Sequence, residues 1–174
     1  MMKKFALGLV VSLGLSVAAA AEEPMKILFV DTGNTGRSVT AEALANDKIA
    51  KEHLAIRVIS RAVDMDPFDV HPEANVVTLL KQRGLDVTSH VAAQIGPQDV
   101  KKAAIILTMT AKHKARVLEQ FPAAEGHIFT LAEYATGADT EVADAYGKPR
   151  DVYVAMVKQV DGYVGQALTK SVKK

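Results

Sequence analysis

Residues 27–44, ILFVDTGNTGRSVTAEAL, join four apolar residues to a helical pattern through a short loop of small and polar residues. This join constrains the fold more than any other feature of the chain. A continuous apolar run that short suits a strand buried on both faces, and a strand followed at once by an amphipathic helix is the opening half of a βαβ unit. The same alternation continues. KILFV (26–30) reads as a strand, Ser38 to Leu54 as a helix, IRVIS (56–60) as a second strand, and Pro72 to Arg83 as a helix stopped by Gly84. A short helix over Pro97 to Lys102, a strand AIILTM (104–109), a helix over 111–120 and a strand HIFTL (127–131) follow. Pro149, suited to a first helical position, opens a last helix running to about Thr169. The expected fold is therefore α/β, a three-layer α/β/α arrangement around a central four-stranded parallel sheet. Ligands in such folds lie at the carboxyl ends of the strands, where the first loop falls.

The N-terminus bears on compartment. Lys3 and Lys4 precede an apolar run from Phe5 to Val17, and Ala18 to Ala21 supply an A-x-A cleavage site before Glu22, the pattern of a secretory signal peptide. The run falls short of the about 18 apolar residues that a membrane-spanning helix needs. Residues 1–21 are thus expected to be a leader and 22–174 the mature domain, periplasmic or secreted. About 153 residues suffice for one domain with a proper core and are too few for two. Lys3 and Lys4 are two of the 21 basic residues; the 19 that remain face 20 acidic ones, a net charge of about −1. That balance points to no nucleic acid and to no membrane surface after leader removal. The chain has no cysteine, which excludes disulfides, thiolate metal sites and thiol nucleophiles.

The loop itself can hold an oxyanion. Gly33 and Gly36 let successive N–H groups turn inward, the following helix adds free N–H groups at its positive end, and Arg37 offers a planar fork to two phosphoryl oxygens. An ordinary strand-to-helix turn with a solvated arginine is the alternative that these residues leave open. The nucleotide-binding motif GxxxxGK[ST] is absent. The candidate phosphate-binding set is Thr32, Gly33, Asn34, Thr35, Gly36, Arg37 and Ser38. At its head stands Asp31, a carboxylate where an anion site has no evident use for one.

FVDTGNTGRSVTAEAL resembles the signature of the low-molecular-weight protein tyrosine phosphatases, C-x5-R-S followed by a helix rich in Ala, Glu and Leu, with Asp31 in the cysteine's place. The resemblance extends through ISRAV, LLKQRGLDVTSHVA, ILTMTAKHK, FTLAEYATG and EVADAYGKPRDVY, nearly the whole mature chain. Thr35 and TLAEYATG are closer to the protein-arginine phosphatase branch. The resemblance implies that fold. It also implies Arg37 as the binder of the transferring phosphoryl oxygens, with Asn34 and Ser38 ordering the loop. Asp144 takes the place of the general acid, although the proline that follows it in the family is Ala145 here. Tyr146 is expected to flank the substrate group, and Tyr134 either borders the same cleft or packs in the core.

What is missing is the nucleophile, and Gly36 replaces a second cysteine that many members carry. Cysteines so placed would tend to pair in an oxidising compartment, which accords with the leader. Two functions follow. One is a pseudophosphatase of the phosphotyrosine or phosphoarginine type that binds phosphate, or a phosphorylated protein or small molecule. The other is an active phosphatase with Asp31 as nucleophile and Asp144 as general acid. Against the second, the N–H groups and Arg37 that bind phosphate also solvate the carboxylate and weaken its attack. The expectation is that Asp31 lies inside the ring of loop N–H groups, paired with Arg37, as a stand-in for phosphate. Arsenate reduction, another activity of this fold, needs thiols and is excluded. DMDPF (64–68) has only a superficial likeness to the start of aspartate-nucleophile phosphatases and reads as a solvated loop. His53, His71, His90, His113 and His127 show no ligand spacing, so no metal and no cofactor is expected. Oligomeric state is left open.

Overall fold

In the computed structural model, which describes residues 23–173, the first apolar run forms β1 (Met25–Asp31) and the helical pattern after it forms α1 (Arg37–Glu52). The leader expected over residues 1–21 lies outside the described residues. β2 (Ile56–Ala62), β3 (Ile105–Thr108) and β4 (Ile128–Thr130) complete a four-stranded sheet in the order β2-β1-β3-β4, with every neighbouring pair parallel. Ile27 of β1 pairs with Val58 on one side and Ile105 on the other. The chain therefore leaves β1 toward one edge and returns to the other. Such a reversal opens a crevice at the carboxyl end of β1, beside the loop at 32–36.

The other helices are α2 (Ala74–Lys81), α3 (Pro97–Lys102), α4 (Ala111–Gln120), α5 (Leu131–Thr136) and α6 (Arg150–Ser171). Successive strand residues point to opposite faces, and the core divides accordingly. Ile27, Phe29, Ile105 and Leu107 pack with Leu44 of α1, Leu80 of α2, Leu131 of α5 and Val160 of α6. Leu28, Val30, Ile106 and Ile128 pack with Val100 of α3 and Val117 of α4. Both faces of the sheet are covered, which is why the central strands β1 and β3 carry continuous apolar runs, whereas the edge strand β2 alternates. No helix among the described residues is long and apolar enough to cross a membrane.

One helix goes beyond the reading above. Residues 131–136 form α5, where the sequence suggested only the end of a strand. TLAE is a capping box: Thr130 Oγ1 accepts the Glu133 N–H at 3.0 Å, and the Glu133 carboxylate accepts the Thr130 N–H at 3.1 Å. Gly137, at φ 75°, ends the turn in the left-handed region. Tyr134 on this helix is a core residue. It is 2% exposed, its ring lies 5.4 Å from that of Phe129, and its hydroxyl meets Ser171 Oγ at 3.2 Å, so it does not border the cleft.

Candidate active site

β1 delivers Asp31 to the carboxyl edge of the sheet, and the chain then wraps around its side chain. Asp31 Oδ1 accepts the Asn34 N–H at 2.6 Å and Oδ2 accepts the Ser38 N–H at 2.9 Å, so one carboxylate ties both ends of the loop together. Asp31 is only 3% exposed. Asn34 makes the wrapping possible. Its φ is 60°, a conformation that asparagine tolerates better than most residues, and its side chain is held on three sides. Its Nδ2 donates to Ser38 Oγ at 2.9 Å and to Ser60 Oγ at 2.8 Å, while its Oδ1 accepts the Ala93 N–H at 3.1 Å. Ser60 in turn donates to Glu42. The loop is therefore anchored to β1, α1 and β2 at once. Its remaining N–H groups, those of Thr32, Gly33, Thr35, Gly36 and Arg37, donate to no acceptor among the described residues. That set is a ready oxyanion cradle.

Arg37 departs from expectation. Its guanidinium does not pair with Asp31 among the described residues; Nη2 lies 3.2 Å from Asp144 Oδ2 and Nη1 donates to the Val142 carbonyl at 3.4 Å. The Asp31 carboxylate already has a donor on each oxygen, whereas Asp144 is a half-exposed carboxylate that faces the arginine across the opening. Asp144 and Tyr146 both line the cleft. Asp144 Oδ1 accepts the Tyr146 N–H at 3.2 Å, Tyr146 stands 62% exposed at the rim, and its hydroxyl donates to Asp69 at 3.4 Å. Ala145, in the place of the family proline, is buried.

Three groups that the sequence reading set aside or did not name complete the site. DMDPF (64–68), read as a solvated loop, carries Asp64 and Asp66, Asp69 follows it, and all three line the cleft. Glu73, just before α2, places Oε1 over the phosphate loop. A side chain on Gly36 would overlap that atom, and the other carboxylate oxygen accepts the Tyr153 hydroxyl of α6. His113 of α4 supports the loop from below, with Nε2 at 2.8 Å from Thr32 Oγ1. Burial, with the nearby Arg37 guanidinium, pushes the His113 pKa down despite Asp31 and Asp144, so the ring is neutral at neutral pH. No spacing rule signals these residues, because each reaches the loop from a separate packed element.

The resulting cavity has a volume of about 270 Å³. Six carboxylates (Asp31, Asp64, Asp66, Asp69, Glu73 and Asp144) line it against one guanidinium, that of Arg37. The arrangement can hold an oxyanion on the loop N–H groups and can set carboxylates around whatever that oxyanion is attached to. It presents no thiolate, and the carboxylate that stands at the head of the loop has both oxygens engaged by backbone donors.

A model of the family "Low molecular weight phosphotyrosine protein phosphatase" matches residues 26–174. The chain is 32% identical over 150 residues to a protein-arginine-phosphatase of Geobacillus stearothermophilus, covering 84% of this chain and 96% of that protein. It is 38% identical over 130 residues to the low molecular weight protein-tyrosine-phosphatase PtpB of Staphylococcus aureus, covering 75% and 87%. Among solved structures, a YwlE mutant from Bacillus subtilis superposes with a TM-score of 0.81 at 32% identity, covering 86% of this chain and 99% of that one. A YwlE arginine phosphatase mutant with a phosphorylated active-site serine gives the same TM-score and identity, covering 86% and 97%. On these matches and on its parallel sheet and loop, the chain belongs to the low molecular weight phosphotyrosine protein phosphatase family.

Proposed function

We propose that this domain is an exported pseudophosphatase: it keeps the phosphate loop, lacks the cysteine nucleophile, and uses the cleft to bind phosphate or a phosphorylated group on a protein or small molecule. The observation that carries this reading is the placement of Asp31, whose two oxygens take the N–H groups of Asn34 and Ser38. A carboxylate held in this way is a built-in anion rather than an efficient nucleophile, because a backbone donor on each oxygen stabilises its charge and restrains its approach to phosphorus. The loop N–H groups without an acceptor among the described residues remain available to an incoming oxyanion, which Arg37 reaches by exchanging its contact with Asp144.

The surrounding charge narrows the ligand. A bare phosphate dianion meets six carboxylates, of which Asp64 is paired with Arg116 and Asp144 with Arg37, whereas a phosphorylated guanidinium brings its own positive portion to those left without a cationic partner. This favours a phosphoarginine-type group. It also accords with the protein-arginine-phosphatases among the relatives, at 32% and 33% identity. A second reading, Asp31 as nucleophile with Asp144 as general acid, draws on the relative whose active-site serine carries phosphate, an oxygen nucleophile phosphorylated in this family's site.

Assays of the purified protein on an aryl phosphate and on phosphoarginine separate the two. No turnover is expected. Turnover that Asp31→Asn abolishes would overturn the pseudophosphatase reading and establish the second. Export rests on the pattern of Lys3, Lys4 and the apolar run after them. N-terminal sequencing of exported material should find a mature chain beginning near Glu22, and a chain beginning at Met1 would refute export.

A further inference from the structure

The oxyanion reading above leaves one carboxyl group of the cleft unexplained. Glu73 is half-buried, and its Oε1 lies where a side chain on Gly36 would be. An oxyanion seated on the N–H groups of Thr35, Gly36 and Arg37 would share the cavity with this atom. Two acceptor oxygens brought together repel unless a proton lies between them.

The other carboxylates are poor places for that proton. Both oxygens of Asp31 accept backbone N–H groups, and those of Asp144 are taken by Arg37 and the Tyr146 N–H. Glu73 differs. One of its oxygens accepts the Tyr153 hydroxyl, and Oε1 accepts no hydrogen bond among the described residues. Tyr153, pushed up to about 12 by burial and by its bond to Glu73, stays a phenol and keeps donating. Glu73 also faces a strongly acidic neighbourhood: Asp31 from β1, Asp69 from the loop after β2, and Asp144 before α6, with Arg37 of α1 the opposing charge in the cleft. Asp64, Asp66 and the Tyr146 phenol complete the titratable lining. Burial, followed by Asp144, Asp31 and Asp69, raises its pKa above the usual carboxyl value despite the Tyr153 bond.

We propose that Glu73 gates the phosphate loop. As a carboxylate it covers Gly36 and repels an oxyanion; with a proton on Oε1 it donates a hydrogen bond to that oxyanion. Binding in this cleft therefore takes up one proton. Glu73 thereby becomes a specificity residue, admitting oxyanions more readily as pH falls.

Sulfate is the suitable probe, because it does not itself titrate near neutrality. Calorimetry of the whole protein at constant ionic strength, in two buffers of different ionisation enthalpy, measures affinity and proton uptake together. Wild type should bind sulfate about tenfold more weakly for each pH unit above the folded pKa of Glu73, with uptake close to one proton. Glu73→Gln keeps an acceptor for Tyr153 and supplies a neutral donor, so it should bind at about pH 7.5 as tightly as wild type does at low pH, with no proton uptake. Tyr153→Phe removes the donor that favours ionised Glu73 and should move the midpoint to higher pH. Sulfate binding whose pH dependence survives in Glu73→Gln overturns the gate and leaves the oxyanion reading standing. Absence of sulfate binding in wild type, Glu73→Gln and Asp31→Ala alike overturns both.

Discussion

Asp31 decides what the site can do, and its replacement gives the sharpest test. Asp31→Ala removes an anion from the ring and frees the N–H groups of Asn34 and Ser38. Affinity for phosphate or vanadate should rise by about tenfold or more, equivalent to about 1.4 kcal/mol, as titration calorimetry would read it. Ligand-free stability should fall by about 1–3 kcal/mol, since buried donors lose their acceptor, and melting should drop by roughly 2–4 °C for each kcal/mol. If wild type binds phosphate more tightly than the alanine variant, Asp31 is no plug and its catalytic reading gains. Asp31→Cys should recover some hydrolysis under reducing conditions, because Arg37, Ser38 and Asp144 are in place. The recovery should be partial, since the segment after Asp144 has lost its stiffening proline to Ala145. At this scale the loop residues, Arg37, Asp144 and Tyr146 were all legible in the sequence. The Asp144 partner of Arg37, in place of the Asp31 anticipated, was not, because choosing between two carboxylates requires knowing which one already has donors.

Among the elements, the strands and long helices follow from periodicity, and the departures lie where a side chain overrides it. α5 exists because Thr130 and Glu133 cap each other's N–H groups. Thr130→Val keeps the shape and removes the acceptor, so urea denaturation should show a loss of about 1 kcal/mol. An unchanged midpoint would mean that packing of Leu131 and Tyr134 alone holds this turn. The same element explains why Tyr134 belongs to the core: a helix beginning at Leu131 carries it onto the face that packs against α6, where its hydroxyl meets Ser171. A strand continued to residue 131 would have placed it differently.

For the whole molecule, the clustering of carboxylates at one edge of the sheet couples stability to pH. Burial and then Asp144, Asp31 and Asp69 lift the Glu73 pKa above 4.5, so the folded chain holds a proton that the unfolded chain releases. Stability therefore falls as pH rises from about 4.5 through the folded value and stays lower above it. Glu73→Gln should be more stable relative to wild type at about pH 7.5 than at about pH 4.5, measured by thermal melts at both; an equal difference at the two would show that the group is not shifted. The alternation of apolar runs and amphipathic stretches was enough to determine a parallel sheet covered on both faces, since burial on two sides demands that pattern. The loop of glycines ending in Arg37 and Ser38 likewise determined a strand-to-helix turn with a carboxylate at its head, the proposed oxyanion cradle. Only the tertiary structure decided what surrounds that cradle. Thr32 meets His113 across 81 positions, Glu73 meets Tyr153 across 80, and Arg37 meets the Val142 carbonyl across 105. Local propensity and spacing carry no information over such separations; these contacts exist because α2, α4, α6 and the segment before α6 pack on different sides of the same strand end.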